Sequence, residues 1–443
     1  MLTAKTTRVR WFLVFWLFVL SAVSYLDRVN ISIAGGSIVD AYHLSDVQLG
    51  KVFSALLAGY ALFQTVGGYL ADRFGPRRVL AAGVVWWGIF TALTALVPAD
   101  IGGALYLFVG VRFFLGAGEA VIYPAANQFV ARWIPVRERG IANGWIFAGV
   151  GAGAGLTPPL IAYLMIHHGW RSSFWVCAIL GFLAGAVWFV AARDNPEDHP
   201  RVSATELTTI QSGLRVTGDS PNPATARADA LVPWKRVMRS REVWAVTISY
   251  FCYGYVAWIF FSWFYRYLAK VRGLDLKASA FYSMLPFLAM LVCCLLGGMV
   301  NDRLTKWRGP RLGRCGVAAL AMAVAGIFIA CGSQVQGVRL ASVVLAGGAG
   351  ALYFSQSSFW SVTADIAGGS AGSVSGFMNM GAQIGGALTG SLTPWIALRY
   401  GWTASFLVAA ALCIVGALCW LAVDPLNTLT HERIAGTRHD VHS

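Results

Sequence analysis

Apolar runs of about 20 residues recur along the whole chain, the length at which an α-helix crosses a hydrocarbon layer roughly 30 Å thick. The first begins WFLVFWLFVLSAV at Trp11. The pattern predicts twelve spans, at 11–36, 46–71, 79–97, 102–131, 140–166, 172–192, 242–268, 278–301, 312–332, 337–366, 371–398 and 402–423. Turn and charge clusters separate them: DRFGPRR at 72–78, VPAD at 97–100, PVRER at 135–139 and NDRLTKWRGPR at 301–311. The shorter polar–apolar alternation of a membrane β-barrel is not the pattern here. An all-α membrane protein of twelve transmembrane helices is therefore expected.

One stretch breaks the rhythm. Residues 193–241 are polar and charged and contain several prolines. They read as a linker joining two six-span halves, 1–192 and 242–423, with a tail at 424–443. Within the linker, Ser203 and Glu206 fit a capping box for a short helix. WKRVMRSREVW at 234–244 suits a membrane surface. The halves repeat each other. GGYLADRFGPRR from Gly67 matches GGMVNDRLTKWRGPR from Gly297, and GWRSSF at 169–174 matches GWTASF at 401–406. Asn143–Gly144 and Ser375–Gly376 open the matching Gly-rich spans. Paired halves of this kind build secondary transporters, with substrate held near the membrane midplane between them.

Composition agrees. Of 443 residues 57% are hydrophobic and 12% charged, against about 25% charged in soluble domains. A net charge of +14 would raise nucleic acid in a soluble protein. Here most Lys and Arg fall on the two tails and on the loops after even-numbered spans, which marks that side as cytoplasmic and puts both termini inside. No nucleic-acid signature accompanies the charge. Lys5, Arg8 and Arg10 before an apolar run imitate a secretory signal. That run continues past Asp27 to about Gly36 without a cleavage site, so it reads as an uncleaved first helix. Eight cysteines lie in or beside apolar runs with no CxxC and no paired His spacing. They read as small apolar residues, giving neither a disulfide framework nor a metal site, and no cofactor is expected.

Four charges inside spans carry the chemistry: Asp27 and Arg28 in the first, Arg112 and Glu119 in the fourth. An ionised group at the bilayer centre costs about 2.5 to 3.5 kcal/mol on insertion scales, so each needs a partner or water. Arg112 and Glu119, seven residues apart, share a helix face. Asp27 and Arg28 point about 100° apart, so one can face a central cavity while the other faces the fourth span. Two acids and two bases in one half suit a proton relay; a structural ion-pair network is the alternative.

GGYLADRFGPRR (67–78) resembles the cytoplasmic loop motif of the major facilitator superfamily. The resemblance implies two pseudo-symmetric six-helix bundles, with Asp72, Arg73 and Arg77 making inter-helix contacts that hold one conformational state. YLDRVNISIA (25–34), FSALLAGYALFQTVGGYLADRFG (53–75) and RFFLGAGEAVIYPAAN (112–127) resemble its anion:cation symporter branch, which includes bacterial sugar-acid permeases, phthalate-type permeases and sialin-type carriers. That resemblance implies proton-coupled uptake of an organic anion across a bacterial inner membrane, by a monomer. It makes Asp27 and Glu119 the protonatable acids and Arg112 the coupling arginine. It sets Arg28 on the substrate carboxylate, Tyr25 and Tyr60 nearby, and Ser357 and Asn379 on substrate hydroxyls.

Some positions depart from it. Val150 stands where the sugar-acid permeases place a glutamine facing the sugar. The seventh span, YFCYGYVAWIFFSWFYRYL at 250–268, is dense in aromatics. These form either an interfacial belt with packing, or a cavity wall through Tyr253, Tyr255 and Trp258 that favours a less hydroxylated acid. His167 and His168 read as solvated loop residues, and Asp365, near the cytoplasmic end of the tenth span, as a loop contact rather than a proton site. A proton-coupled antiporter exporting a drug or metabolite is the alternative function. The fifth span, GWIFAGVGAGAGLTPPL, lacks the GxxxGPxxGG run of many such antiporters. No nucleophile–base constellation points to an enzyme, and no signalling domain points to a sensor.

Overall fold

The structure, a computed structural model, describes residues 7–44, 46–99, 103–214, 232–264, 267–274 and 276–429. All regular structure among them is helical. Residues 215–231 of the expected linker and most of the expected tail lie outside the described residues.

The first six spans are α1 (Val9–Tyr42), α2 (Asp46–Phe74), α3 (Pro76–Leu96), α4 (Ala104–Glu119) continued by α5 (Ile122–Trp133), α6 (Arg139–His168) and α7 (Trp170–Ala191). Two short helices follow, α8 (Ala204–Leu214) and α9 (Trp234–Val237). The second half is α10 (Arg241–Ser262), α11 (Leu276–Arg308), α12 (Val317–Gln334), α13 (Val338–Phe354) continued by α14 (Gln356–Ala367), and α15 (Ala371–Cys419). α15 is two spans that meet at Gly401, whose φ of 84° is open to glycine and strained for other residues. In the seventh span the α-helix runs to Ser262, and a short π-helix follows at Tyr267–Val271.

Nine stretches among the described residues are long and apolar enough to cross a membrane. One of them, 338–390, takes in the tenth span and part of the eleventh. α2 and α6 lie outside the nine; α2 carries Lys51, Gln64, Asp72 and Arg73 within its length. Large apolar side chains such as Leu62, Ile166, Val190, Leu320 and Leu398 are exposed on the outside. On a chain with this few charges, that surface matches hydrocarbon, where helices satisfy their own backbone groups.

The expected fourth and tenth spans are each bent. Pro124 has no N–H to give to the carbonyl of Ala120, so the helix breaks just past Glu119. The freed Ala120 carbonyl accepts instead from Gln64 Nε2 of α2 at 3.0 Å, which meets the demand that a buried carbonyl be paired. In the tenth span the Ser355 hydroxyl donates to Leu352 O at 2.6 Å, a back-bond that bends helices.

Within the first half, α1 packs on α6 and α7, α2 on α4, and α3 on α4 and α7. Within the second, α10 packs on α15, α11 on α13, and α12 on α13 and α15. Between halves two crossings dominate, α6 with α11 and α2 with α15. They are the same crossing under the repeat, and glycines make both. A Cβ on Gly68 would overlap the carbonyl of Gly372, and one on Gly298 would overlap that of Gly140. The linker helix is docked too. Ser203 caps it, accepting from Glu206 N at 3.2 Å. The Glu206 carboxylate does not close the expected box. It is fully buried and caps α1 instead, accepting from Val9 N and Arg10 N at 3.1 Å each and from the Thr7 hydroxyl at 2.6 Å.

Candidate functional site

All four intramembrane charges gather in the first half. Asp27, Arg112 and Glu119 are essentially without exposure. Arg28 Nε lies 2.6 Å from Glu119 Oε2. The break past Glu119 ends α4 at that carboxylate. Asp27 points elsewhere: its Oδ2 accepts from the Thr91 hydroxyl of α3 at 2.6 Å. Adjacent residues on one helix thus face different neighbours, as their angular separation requires. Arg112 is close enough for its charge to act on both Asp27 and Glu119, yet no direct ion pair joins it to either among the described residues. Asp27 Oδ1, Glu119 Oε1, Arg28 Nη2, and Arg112 Nε and Nη1 find no hydrogen-bond partner among the described residues. A buried charge with unmade bonds is costly unless another arrangement of the site uses them.

A central cavity lies beside this cluster, between the halves. Tyr25, Tyr60, Tyr123 and Val150 line it from the first half. Tyr250, Tyr253, Trp258, Tyr353, Gln356 and Asn379 are among its residues from the second. The space open to the centre of a water molecule is about 60 Å³. The Arg28 guanidinium sits behind the wall, stacked 4.2 Å from the Tyr60 ring and 5.0 Å from the Tyr25 ring. Both rings therefore hold the cation at the cavity's edge by cation–π contact.

The expected site residues are partly brought together. Tyr25, Tyr60 and Asn379 line the cavity, and Arg28 lies next to it. Ser357 is fully buried, its hydroxyl donating to Cys294 O at 3.4 Å. The neighbouring Gln356 faces the cavity. In the seventh span Tyr253 and Trp258 line the cavity, whereas Tyr255 turns away to Thr393 Oγ1 at 3.2 Å. His167 and His168 are exposed. Sequence reasoning missed Thr91, Tyr123, Tyr250, Tyr353 and Gln356. A Pro124 break beside Glu119 was the one available signal that Gln64 had a task.

The family model of the Major Facilitator Superfamily matches residues 17–390. The chain belongs to that superfamily. Membership makes it a membrane transporter, not an enzyme, and gives it the two-bundle fold. It is 34% identical over 421 residues to the "Probable sulfoacetate transporter SauU" of Cupriavidus necator, covering 94% of this chain and 95% of that one. It is 33% identical over 304 residues to the "Probable galactarate/D-glucarate transporter GudP" of Bacillus subtilis, covering 68% and 67%. Among solved structures, the proton:xylose symporter XylE superposes with a TM-score of 0.71 at 16% identity, over 92% of this chain and 94% of that one. That likeness concerns the fold alone.

In this major facilitator chain Asp72 of the loop motif bridges the two halves. Asp72 Oδ1 accepts from Gly372 N at 2.9 Å, and Oδ2 from Ser373 N at 2.7 Å. Asp72 thereby caps the N-terminus of α15 in the other half, where a carboxylate is favoured by the helix dipole. Asp302 does the same in reverse, accepting from Gly140 N at 2.9 Å and Ile141 N at 2.7 Å of α6. Arg73 is exposed and donates to the Tyr69 hydroxyl at 3.2 Å. Arg77 stays within its half, its N–H on Asp194 Oδ1 at 2.9 Å and its Nε on Phe189 O at 2.9 Å. Asp365, expected at the end of the tenth span as a loop contact, is buried between two arginines: Arg139 of the opposite half at 2.6 Å and Arg314 at 3.1 Å. Arg314 also reaches Asp302 at 3.0 Å.

Proposed function

We propose that this transporter takes up a small organic anion together with protons, by alternating access around the central cavity. Arg28 receives the substrate's acidic group, Tyr25 and Tyr60 position it, and Asp27 and Glu119 carry the coupled protons with Arg112 as their switching partner. The observation that carries this reading is the buried Arg28–Glu119 pair at the cavity edge. Two acids and two bases make the cluster neutral. An anion that takes Arg28 from Glu119 leaves a buried carboxylate without a partner, and that cost falls when the carboxylate accepts a proton. Anion and proton then enter together, which limits the charge carried through a low-dielectric path. The printed names of the relatives, carriers of sulfoacetate and of sugar diacids, support an anionic substrate. The charge pattern supports an orientation with the Asp72 end and both termini cytoplasmic, and the family resemblance supports a bacterial inner membrane as the setting.

The test uses purified protein in liposomes with an internal pH dye and a panel of carboxylates and sulfonates. Uptake of an accepted anion should acidify the lumen, beyond what empty liposomes show. Asp27→Asn and Glu119→Gln should remove the acidification. Alkalinisation of acid-loaded vesicles on adding substrate would instead establish antiport. No response to any anion by folded protein would remove the anion assignment.

A further inference from the structure

The wall of the cavity opposite Arg28 has polar atoms with nothing to bind. Tyr253 and Tyr353 are 4% and 3% exposed, and neither hydroxyl has a hydrogen-bond partner among the described residues. Their rings meet edge to face at 5.8 Å, so the two belong to one patch, and both line the cavity. Gln356 adds a third group. Its Nε2 donates to the Tyr250 hydroxyl at 2.8 Å, which also accepts from Trp360 Nε1 at 3.1 Å. The Gln356 Oε1 is buried and unpaired; turning the amide would leave its NH2 free instead, so one end is available either way. Native interiors seldom leave such groups unsatisfied, because a buried polar group without a partner has lost its water and gained nothing. Phenols and an amide donate hydrogen bonds without bringing charge.

We infer that Tyr253, Tyr353 and Gln356 form a second subsite, which binds the far polar end of a short two-headed anion whose acidic head is held by Arg28. This rests on the anion reading above and narrows it. Phe147, Val150 and Trp258 give the wall an apolar part beside its polar groups. The enclosed space, about 60 Å³ open to the centre of a water molecule, favours a compact ligand over a long polyol. The substrate class is a compact acid with a second oxygen-rich group: a sulfonate, carboxylate or hydroxyl a few bonds from the first.

Transport competition in the same liposomes tests this with five probes: sulfoacetate, malonate and glycolate as two-headed acids, acetate as the one-headed control, and galactonate as the long polyol. Wild type should prefer at least one two-headed acid over both acetate and galactonate. Tyr253→Phe and Tyr353→Phe, which keep the ring, should each reduce that preference over acetate about tenfold, the loss expected for one hydrogen bond to a charged or strongly polar group. Melting curves in detergent establish that the variants fold. Transport of acids by wild type with the preference unchanged in both variants would overturn the subsite and leave the anion reading intact. A wild type that favours galactonate would overturn the compact-substrate claim. Failure to carry any of the five would overturn both.

Discussion

Arg28 and Glu119 compete for each other at the point where a substrate would have to intervene. The sign of the resulting pH dependence follows directly. Anion binding needs Glu119 to let go of Arg28, and a proton on the carboxylate weakens its hold. Binding should therefore tighten as pH falls. In Glu119→Gln the neutral amide holds Arg28 no more firmly at high pH than at low pH, so calorimetric titrations across pH should give a clearly flatter affinity profile than wild type, with any remaining slope due to Asp27. A profile as steep as wild type would show that the coupled proton sits elsewhere. Arg28→Lys keeps the charge but loses the planar fork, and anion affinity should fall about tenfold or more. The four charges were legible in the sequence because ionised groups stand out in an apolar run. Their partners were not. Thr91 is an ordinary residue for any helix, and only the reach of Asp27 to α3 gives it its task; Gln64 likewise takes its task from the break at Pro124. Ser357 and Gln356 differ by one position, and on a helix one position is about 100° of direction.

The two carboxylate caps act at the scale of elements. Asp72 and Asp302 each fasten an α2- or α11-type helix to the N-terminus of a helix in the opposite half. A partly buried carboxylate at a helix N-terminus contributes up to about 2 kcal/mol. Asp72→Asn with Asp302→Asn should shift the population toward a form open at that end. Spin labels at the exposed positions Arg73 and Arg303 would report it as a longer distance component; an unchanged distribution would show that the caps do not hold this end closed. The repeat that predicts these caps was readable from GGYLADRFGPRR and its second-half copy. The loop sequences also named Arg73 and Arg77, but those side chains stay in their own half. The capping box at Ser203 was half right for a related reason. Local spacing identifies a helix start, while Glu206 is claimed by α1, nearly 200 residues away in sequence.

Across the whole molecule the two halves are alike in fold and unlike in chemistry. The acids and bases of the proposed coupling cluster belong to the first half, and the uncharged donors of the proposed second subsite belong to the second. The inter-half crossings differ as well. The repeat sets Arg139 against Ala371 and Asp365 against Trp133, so the buried ion pair between α6 and α14 has no counterpart under the repeat among the described residues. A cavity between such halves presents charge on one wall and neutral hydrogen-bonding groups on the other, and rocking the halves exposes both walls together. Most of the helical arrangement was legible because most spans are apolar enough for lipid; the more polar α2 and the Gly-rich α6 were legible through their place between the others and through the repeat. The cavity was not, because a tyrosine facing it and a tyrosine in a lipid-interface belt look the same in one sequence.

The central claim is that anion and proton bind as one event. The direct measurement is proton exchange on adding an accepted anion to the purified protein in weakly buffered solution, followed with a pH indicator. Linkage requires that an anion whose binding strengthens on protonation also brings protons with it, on the order of one per anion near neutral pH. Net proton uptake that disappears in Glu119→Gln or Asp27→Asn is the predicted result. Proton release, or saturable anion binding with no exchange at any pH, would contradict it.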